Sequence, residues 1–86
     1  MRVLVHLGEP FWRTAGARQI QVALANGATV ADAFDVLTKR YPALRGEFGN
    51  AEAKPALFVN DEAAGLESLL VEGANLHVVW LASGGQ

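Results

Sequence analysis

Gly84 and Gly85 are the residues of this sequence with the most informative chemistry. Two glycines carry no side chains, so they can enter a narrow channel and present a carboxyl group to an enzyme. A carboxylate becomes a good acyl donor once it forms a mixed anhydride with AMP. A sulfur nucleophile then gives a thiocarboxylate or an acyl persulfide, and an amine gives an amide. None of these reactions needs a catalytic group on the chain that carries the glycines.

Gln86 follows the two glycines and changes that chemistry. While Gln86 is attached, the carbonyl of Gly85 belongs to an ordinary amide and cannot be adenylated. We therefore expect Gln86 to be removed before Gly85 is activated. The alternative is that the glycine pair has no such role and that Gln86 is without consequence.

The rest of the composition excludes several classes of function. The sequence of 86 residues has no cysteine, which excludes disulfides, thiol catalysis and thiolate metal ligands within it. Its net charge of −2 shows no excess of basic residues of the kind that binds nucleic acid or an anionic membrane surface. No apolar stretch is long enough to span a bilayer. Carboxylates such as Asp61 and Glu72 lie in turns and are expected to be solvated. We expect a cytoplasmic protein that other enzymes act on, not an enzyme, with no nucleic-acid or membrane partner.

The elements that must position the glycine pair can be predicted from the apolar pattern. Runs of β-branched and apolar residues predict strands over residues 1–7, 17–24, 55–59 and 76–81, with a short strand or a turn at 63–64. An apolar stripe predicts a helix over 29–41, capped by Thr29 together with Asp32 and ended by Pro42.

Three further segments and three expected core residues complete this interpretation. The FWRTAG segment from Phe11 is expected as an irregular loop, and GLESLL from Gly65 as one short helical turn. Residues 43–54 are expected as a loop or a short irregular helix. The aromatic and aliphatic side chains expected in the core include Phe34, Leu37 and Phe58.

The order of these elements predicts an α+β domain. One main helix has to cover one side of a mixed sheet of four to five strands. The first two strands form a hairpin, and the last strand lies beside the first in the middle of the sheet, as in the β-grasp fold. We expect this domain to span residues 1–82 and a flexible Gly-Gly tail to span 83–86.

Strand alternation predicts which residues face away from the helix. His6 and His77 fall on the open side of the sheet and lie close together if the first and last strands are neighbours. Two histidines could contribute to a metal site, but no third ligand is evident, so we expect none. We expect a docking surface for a partner protein instead, formed by Leu4, His6, His77, Val79, Trp80 and Leu81. The alternative is that a loop such as FWRTAG covers this side.

Several short motifs, taken in order, resemble those of the prokaryotic ubiquitin-like sulfur carriers of the MoaD/ThiS family. The terminal NLHVVWLASGG also resembles the end of ubiquitin, because Leu76-His77 opens an apolar strand that is followed by Gly84-Gly85. The resemblance to the MoaD/ThiS family covers essentially the whole chain. The matching pieces are FWR..G (Phe11, Trp12, Arg13, Gly16), the Thr29-Val30 and Tyr41-Pro42 pairs that bracket the helix, PALFVND (Pro55 to Asp61), the Glu72-Gly73 turn and Gly84-Gly85.

The resemblance implies a β-grasp carrier that is adenylated by a ubiquitin-activating-type enzyme. ATP is then consumed by that partner, and the carrier itself binds no cofactor. Gly85 would hold sulfur as a C-terminal thiocarboxylate, with Gly84 as its flexible neighbour, and would deliver it to a sulfur-accepting synthase. A carrier of this kind is also the small subunit of molybdopterin synthase. The resemblance further implies a metallopeptidase that trims Gln86.

The acceptor of the sulfur stays open at this point. Family members serve molybdopterin, thiamine thiazole, cysteine, methionine or tRNA. The molybdopterin type usually has prolines just before its tail, where this chain has Trp80 and Leu81, whereas VNDE from Val59 to Glu62 resembles the cysteine-forming carriers. Two other functions also stay open: a ubiquitin-like modifier joined to lysines through Gly85, and an interaction domain whose tail is never activated.

Overall fold

The first and last strands lie side by side at the centre of a five-stranded mixed sheet with the order β2–β1–β5–β3–β4. The structure is a computed structural model that describes residues 1–48 and 55–80. The strands are β1 (Arg2–Leu7), β2 (Gln19–Ala23), β3 (Pro55–Val59), β4 (Glu62–Ala64) and β5 (Asn75–Trp80), and the helices are α1 (Phe11–Ala15), α2 (Val30–Arg40) and α3 (Ala43–Phe48). The predicted α+β class and β-grasp order of strands are confirmed.

The pairing between strands is regular throughout the sheet. β1 pairs with β2 as an antiparallel hairpin and with β5 in parallel, and β3 pairs antiparallel with both β5 and β4. Because successive residues of a strand point to opposite sides, this regular register fixes which residues share a side of the sheet.

The core lies on one side of the sheet, beneath the helices. The helices contribute Phe11, Leu37 and Leu44, all of which are buried. Full burial of a large aliphatic or aromatic side chain contributes about 1.5–3 kcal/mol. The buried residues that the strands contribute are Val3, Val5, Leu7, Ile20, Val22, Leu57, Leu76 and Val78.

The helix α2 begins with the predicted capping box. The Oγ1 of Thr29 accepts a hydrogen bond from the backbone N–H of Asp32 at 3.3 Å, and the Asp32 carboxylate accepts one from the backbone N–H of Thr29 at 2.8 Å. These bonds satisfy N–H groups that the first turn of a helix leaves without partners. The helix ends just before Pro42, as predicted, where the N–H of Tyr41 donates to the carbonyl of Leu37 at 2.7 Å.

The FWRTAG segment is the helix α1, so the prediction of an irregular loop is wrong. The N–H of Trp12 donates to the carbonyl of Gly8 at 3.1 Å, and the N–H of Gly16 donates to the carbonyl of Trp12 at 2.8 Å. Gly16 adopts a φ of 79°, which is the left-handed conformation that favours glycine at the end of a helix. A helix of this length is too short to show a helical period in the sequence.

The GLESLL segment begins with a single turn, in which the N–H of Ser68 donates to the carbonyl of Gly65 at 3.1 Å, but it does not form a helix. Its backbone carbonyls instead serve the start of α2: the carbonyl of Ser68 accepts from the N–H of Val30 at 3.0 Å, and the carbonyl of Leu66 accepts from the N–H of Ala31 at 2.9 Å. The segment is extended enough to form a bridge between Leu69 and Thr29. The residues that follow Pro42 do form a short helix, α3, which the sequence left open.

Within residues 1–48 and 55–80, none of the helices combines the length and the apolar character that a bilayer crossing demands.

Candidate functional site

The side of the sheet away from the core carries a continuous row of side chains that crosses all five strands. His6 on β1 pairs with Gln19 on β2 and with His77 on β5. Phe58 on β3 pairs with His77 and with Ala63 on β4. We call this side the open face and define it by Leu4, His6, Phe58, His77 and Val79. Each of these residues is partly exposed.

The two histidines of the row stack on each other, which confirms the prediction that they lie close together. Their ring centroids are 4.3 Å apart and the ring planes differ by 11°. The pair stands at the junction of the two central strands. The stack therefore presents one flat, partly apolar surface at the middle of the open face.

Both ring nitrogens of His6 have partners. Its Nε2 lies 2.9 Å from the Oδ1 of Asn75 and must donate there, because an amide oxygen only accepts. Its Nδ1 lies 3.5 Å from the Nε2 of Gln19, a long contact in which the amide is the donor. The neutral ring protonated on Nε2 satisfies both contacts. Asn75 is itself held in place, since its N–H donates to the Oδ1 of Asn60 at 3.0 Å.

An apolar depression lies next to the histidine stack. It is a shallow cavity of about 280 Å³, lined by Phe58, Asp61, His77 and Val79. Phe58 is therefore not a core residue, and the prediction that placed it there is wrong. The segment PALFV is apolar on both of its sides, so the sequence alone could not assign a side to Phe58. The register with His77 is what places it on the open face.

Trp80 lies on the other side of the sheet from His77 and Val79. It pairs with Pro55 and shares the alternation of Leu76 and Val78, which are buried. At the end of the sheet Trp80 remains 45% exposed, so it lies beside the open face but is not part of it. Its role in docking stays a prediction. Leu81, which was predicted with it, lies outside the described residues.

The end of β5 is fastened to the end of β1 by a close backbone contact. The N–H of Gly8 donates to the carbonyl of Val78 at 2.8 Å. A Cβ added to Gly8 would lie 3.1 Å from the Cγ1 of Val79, so the backbone approaches this side chain as closely as glycine permits. Beyond Trp80 the chain continues toward Gly84, Gly85 and Gln86, which lie outside the described residues.

The described helices leave the open face uncovered. α1 contributes the buried Phe11 to the core and packs with α3, where the rings of Phe11 and Phe48 are 5.2 Å apart. The alternative that the FWRTAG segment covers the histidines is therefore wrong. In the part of the chain that the structure describes, no three residues of the types His, Cys, Asp or Glu are grouped so that they could hold a metal ion.

Comparison with known proteins identifies structural relatives but no match by sequence. No protein-family model and no curated protein matches the chain. The chain is similar to SAMP1 from Haloferax volcanii, a small archaeal modifier protein, with 28% identity and a TM-score of 0.87 over 99% of this chain and 100% of the other.

Two further solved structures share the fold. A putative molybdopterin converting factor subunit 1 from Pyrococcus furiosus is 23% identical, with a TM-score of 0.81 over 95% of this chain and 99% of its own. CysO from Amycolatopsis orientalis, which was solved in a complex with BexX, is 24% identical, with a TM-score of 0.75 over 96% and 99%. The central parallel pair of strands and these relatives agree: the chain has the β-grasp fold and is similar in structure to ubiquitin-like sulfur carriers and modifiers of the MoaD/ThiS type.

Proposed function

We propose that this protein carries sulfur as a thiocarboxylate on Gly85. The observation that supports the proposal is the pair Gly84-Gly85, which follows the central strand β5 by a few residues in a chain with this fold. A side-chain-free end can enter the active site of another enzyme. The carrier then needs only to bind that enzyme and to offer its carboxyl group.

The reaction sequence starts with the removal of Gln86. A metallopeptidase hydrolyses the peptide bond between Gly85 and Gln86, which frees the Gly85 carboxylate. A ubiquitin-activating-type enzyme then joins this carboxylate to the AMP of ATP and releases pyrophosphate. Hydrosulfide, or a donor of sulfur at the sulfide level, displaces AMP and gives the thiocarboxylate. The thiocarboxylate passes its sulfur to a synthase that makes a cofactor, such as molybdopterin or the thiamine thiazole, or an amino acid, and Gly85 returns to a carboxylate.

The open face supports this proposal as the docking surface for the activating enzyme. Val79 lies on it only a few residues before the glycine pair, and β5 itself leads from the face to the tail. Flat aromatic and aliphatic residues without charge are the kind of surface that forms the centre of a protein interface. The histidine stack, Leu4 and Phe58 give it that character.

The first experiment is the intact mass of the protein recovered from its own cells. The expected species ends at Gly85 and has one oxygen replaced by sulfur. In vitro, a chain that ends at Gly85 should support exchange of pyrophosphate into ATP by the activating enzyme. The matched control is the chain that keeps Gln86, which should be inert. Exchange by both chains would overturn the trimming step, and exchange by neither would overturn the proposal.

A second candidate function is protein modification through Gly85. The observation that favours it is that the solved structure with 28% identity is described as a modifier protein. The same adenylate would then be attacked by a lysine amine of a target and not by sulfur. Lysine-linked adducts of the carrier in cell extract would favour this function, whereas a chain whose end is unchanged in the cell would favour a plain interaction domain.

A further inference from the structure

Two arginines meet over one indole ring at the end of the sheet where β5 ends. The guanidinium carbon of Arg18 lies 4.3 Å from the centroid of the Trp12 ring, and that of Arg13 lies 4.9 Å from it. Both arginines are exposed, whereas Trp12 is only partly exposed and packs against the core. Contact with the indole restricts the two flexible side chains and keeps their cationic ends together.

This cluster is tied to the strand that leads to the glycine pair. The carbonyl of Arg18 accepts from the N–H of Leu7 at 2.8 Å, and the N–H of Trp12 donates to the carbonyl of Gly8 at 3.1 Å. Gly8 in turn donates to Val78 of β5 at 2.8 Å. The cluster therefore lies near the end of β5, the strand that precedes the glycine pair in the sequence.

The charges of the cluster are available to a partner. Arg13 forms an ion pair with Glu9 at 3.1 Å, but the two side chains are 63% and 62% exposed, so the pair is weak and easily exchanged. Arg18 adds a second guanidinium, and a planar guanidinium binds carboxylates through paired hydrogen bonds. Together with Glu9 the two arginines leave one positive charge in the cluster, on a chain whose net charge is −2.

We propose that Arg13 and Arg18, held by Trp12, bind an acidic surface of the activating enzyme at the entrance to its active site. This inference rests on the proposed function, because it names the chemistry of the partner that receives the tail. The open face supplies apolar contact, and the arginine cluster supplies charge near the end of β5. Charges at the rim of an interface mainly accelerate association and set its orientation.

A nucleic-acid partner fits the cluster less well. Binding to a phosphate backbone normally uses many cations along one surface, and this chain has seven basic residues in total and an acidic balance. Two arginines, of which Arg13 already pairs with the carboxylate of Glu9, suit discrete carboxylates.

The test uses the chain that ends at Gly85, the ubiquitin-activating-type enzyme from the same organism, ATP and labelled pyrophosphate. The double variant Arg13→Glu/Arg18→Glu should raise the KM for the carrier about tenfold or more, with kcat unchanged, and should flatten the dependence of KM on salt. Glu9→Gln should lower KM, because it removes the carboxylate that competes for Arg13. The control Lys39→Glu reverses one charge, which is half of the change in the double variant, at a side chain of α2 that is 71% exposed, and it should leave KM within about twofold.

Each outcome decides between the two proposals. An unchanged KM in the double variant, or an equal rise in Lys39→Glu, would overturn the arginine site while the exchange activity of the parent chain keeps the carrier function intact. If the parent chain supports no exchange, the carrier function fails and this inference fails with it. Binding of a labelled single-stranded RNA at physiological salt, lost in the double variant, would assign the cluster to nucleic acid and also overturn it. Far-ultraviolet circular dichroism of each variant should match the parent spectrum.

Discussion

The imidazole rings of His6 and His77 are stacked with their centroids 4.3 Å apart, although the two residues come from opposite ends of the sequence. The stack lies where the two central strands pair in parallel. It contributes to the sheet by side-chain contact and to the open face by its flat shape. These two contributions can be separated by experiment.

The contribution to the sheet should appear in a double-mutant cycle of His6→Ala and His77→Ala. Stacked aromatic pairs contribute about 0.5–1.5 kcal/mol beyond their buried area, so we expect a coupling free energy of about 0.5–1 kcal/mol. Urea unfolding of the four proteins measures it. Additive effects of the two single variants would show that the rings do not stabilise each other.

The contribution of the open face to docking should appear in Val79→Asp. A carboxylate placed on this partly exposed surface would have to lose water when the activating enzyme binds, so we expect the KM for the carrier to rise at least about tenfold. Val71→Asp is the matched control, because Val71 is 60% exposed in the loop before β5. An equal effect of the two substitutions on KM would argue against an apolar docking surface.

The core and the open face should respond differently to removal of a large side chain. Leu37 is fully buried, so Leu37→Ala should lower the free energy of unfolding by about 2–5 kcal/mol. Phe58 is partly exposed beside His77, so Phe58→Ala should lower it by less and should raise the KM for the carrier. Denaturant unfolding and pyrophosphate exchange measure the two effects. A larger loss of stability for Phe58→Ala would return that residue to the core.

The contact between Gly8 and Val79 predicts a substitution that is rescued by a second one. A methyl group at Gly8 would lie 3.1 Å from the Cγ1 of Val79, so Gly8→Ala should lower the free energy of unfolding by about 1 kcal/mol. In a protein that also carries Val79→Ala, the Cγ1 is absent, so the methyl group at position 8 has no such close contact. Gly8→Ala should then lower the free energy of unfolding by much less. Thermal unfolding of the single and double variants checks it. A loss that persists in the double variant would point to the backbone and not to this contact.

The sequence was sufficient for the elements with long patterns. The apolar stripe of α2, with Thr29 and Asp32 at its start, predicted a helix that the structure confirms with its capping bonds. Alternation in β1 and β5 predicted that His6 and His77 share a side of the sheet, and the topology brought them into register. An apolar period that is regular over many residues identifies the buried face of a helix or strand, and this is why these elements could be predicted.

The features that the sequence did not predict depend on contacts between distant parts of the chain. α1 is too short for a period and is stabilised by burial of Phe11 against α3. The segment from Gly65 looked helical, but its carbonyls accept hydrogen bonds from the start of α2. The apolar strand PALFV left the side of Phe58 undetermined until its register with β5 was known.

The parallel pairing of β1 with β5 also affects how the protein is made. His6 and its hydrogen-bond partner Asn75 are 69 positions apart, so the central pair of the sheet closes the longest loop of the domain. Long-range pairings of this kind slow folding, because the chain must lose much of its freedom before these contacts form. During synthesis β5 leaves the ribosome last among the strands, and until then β1 has no central partner. Before β5 pairs, the open face is incomplete, because His77 and Val79 belong to β5.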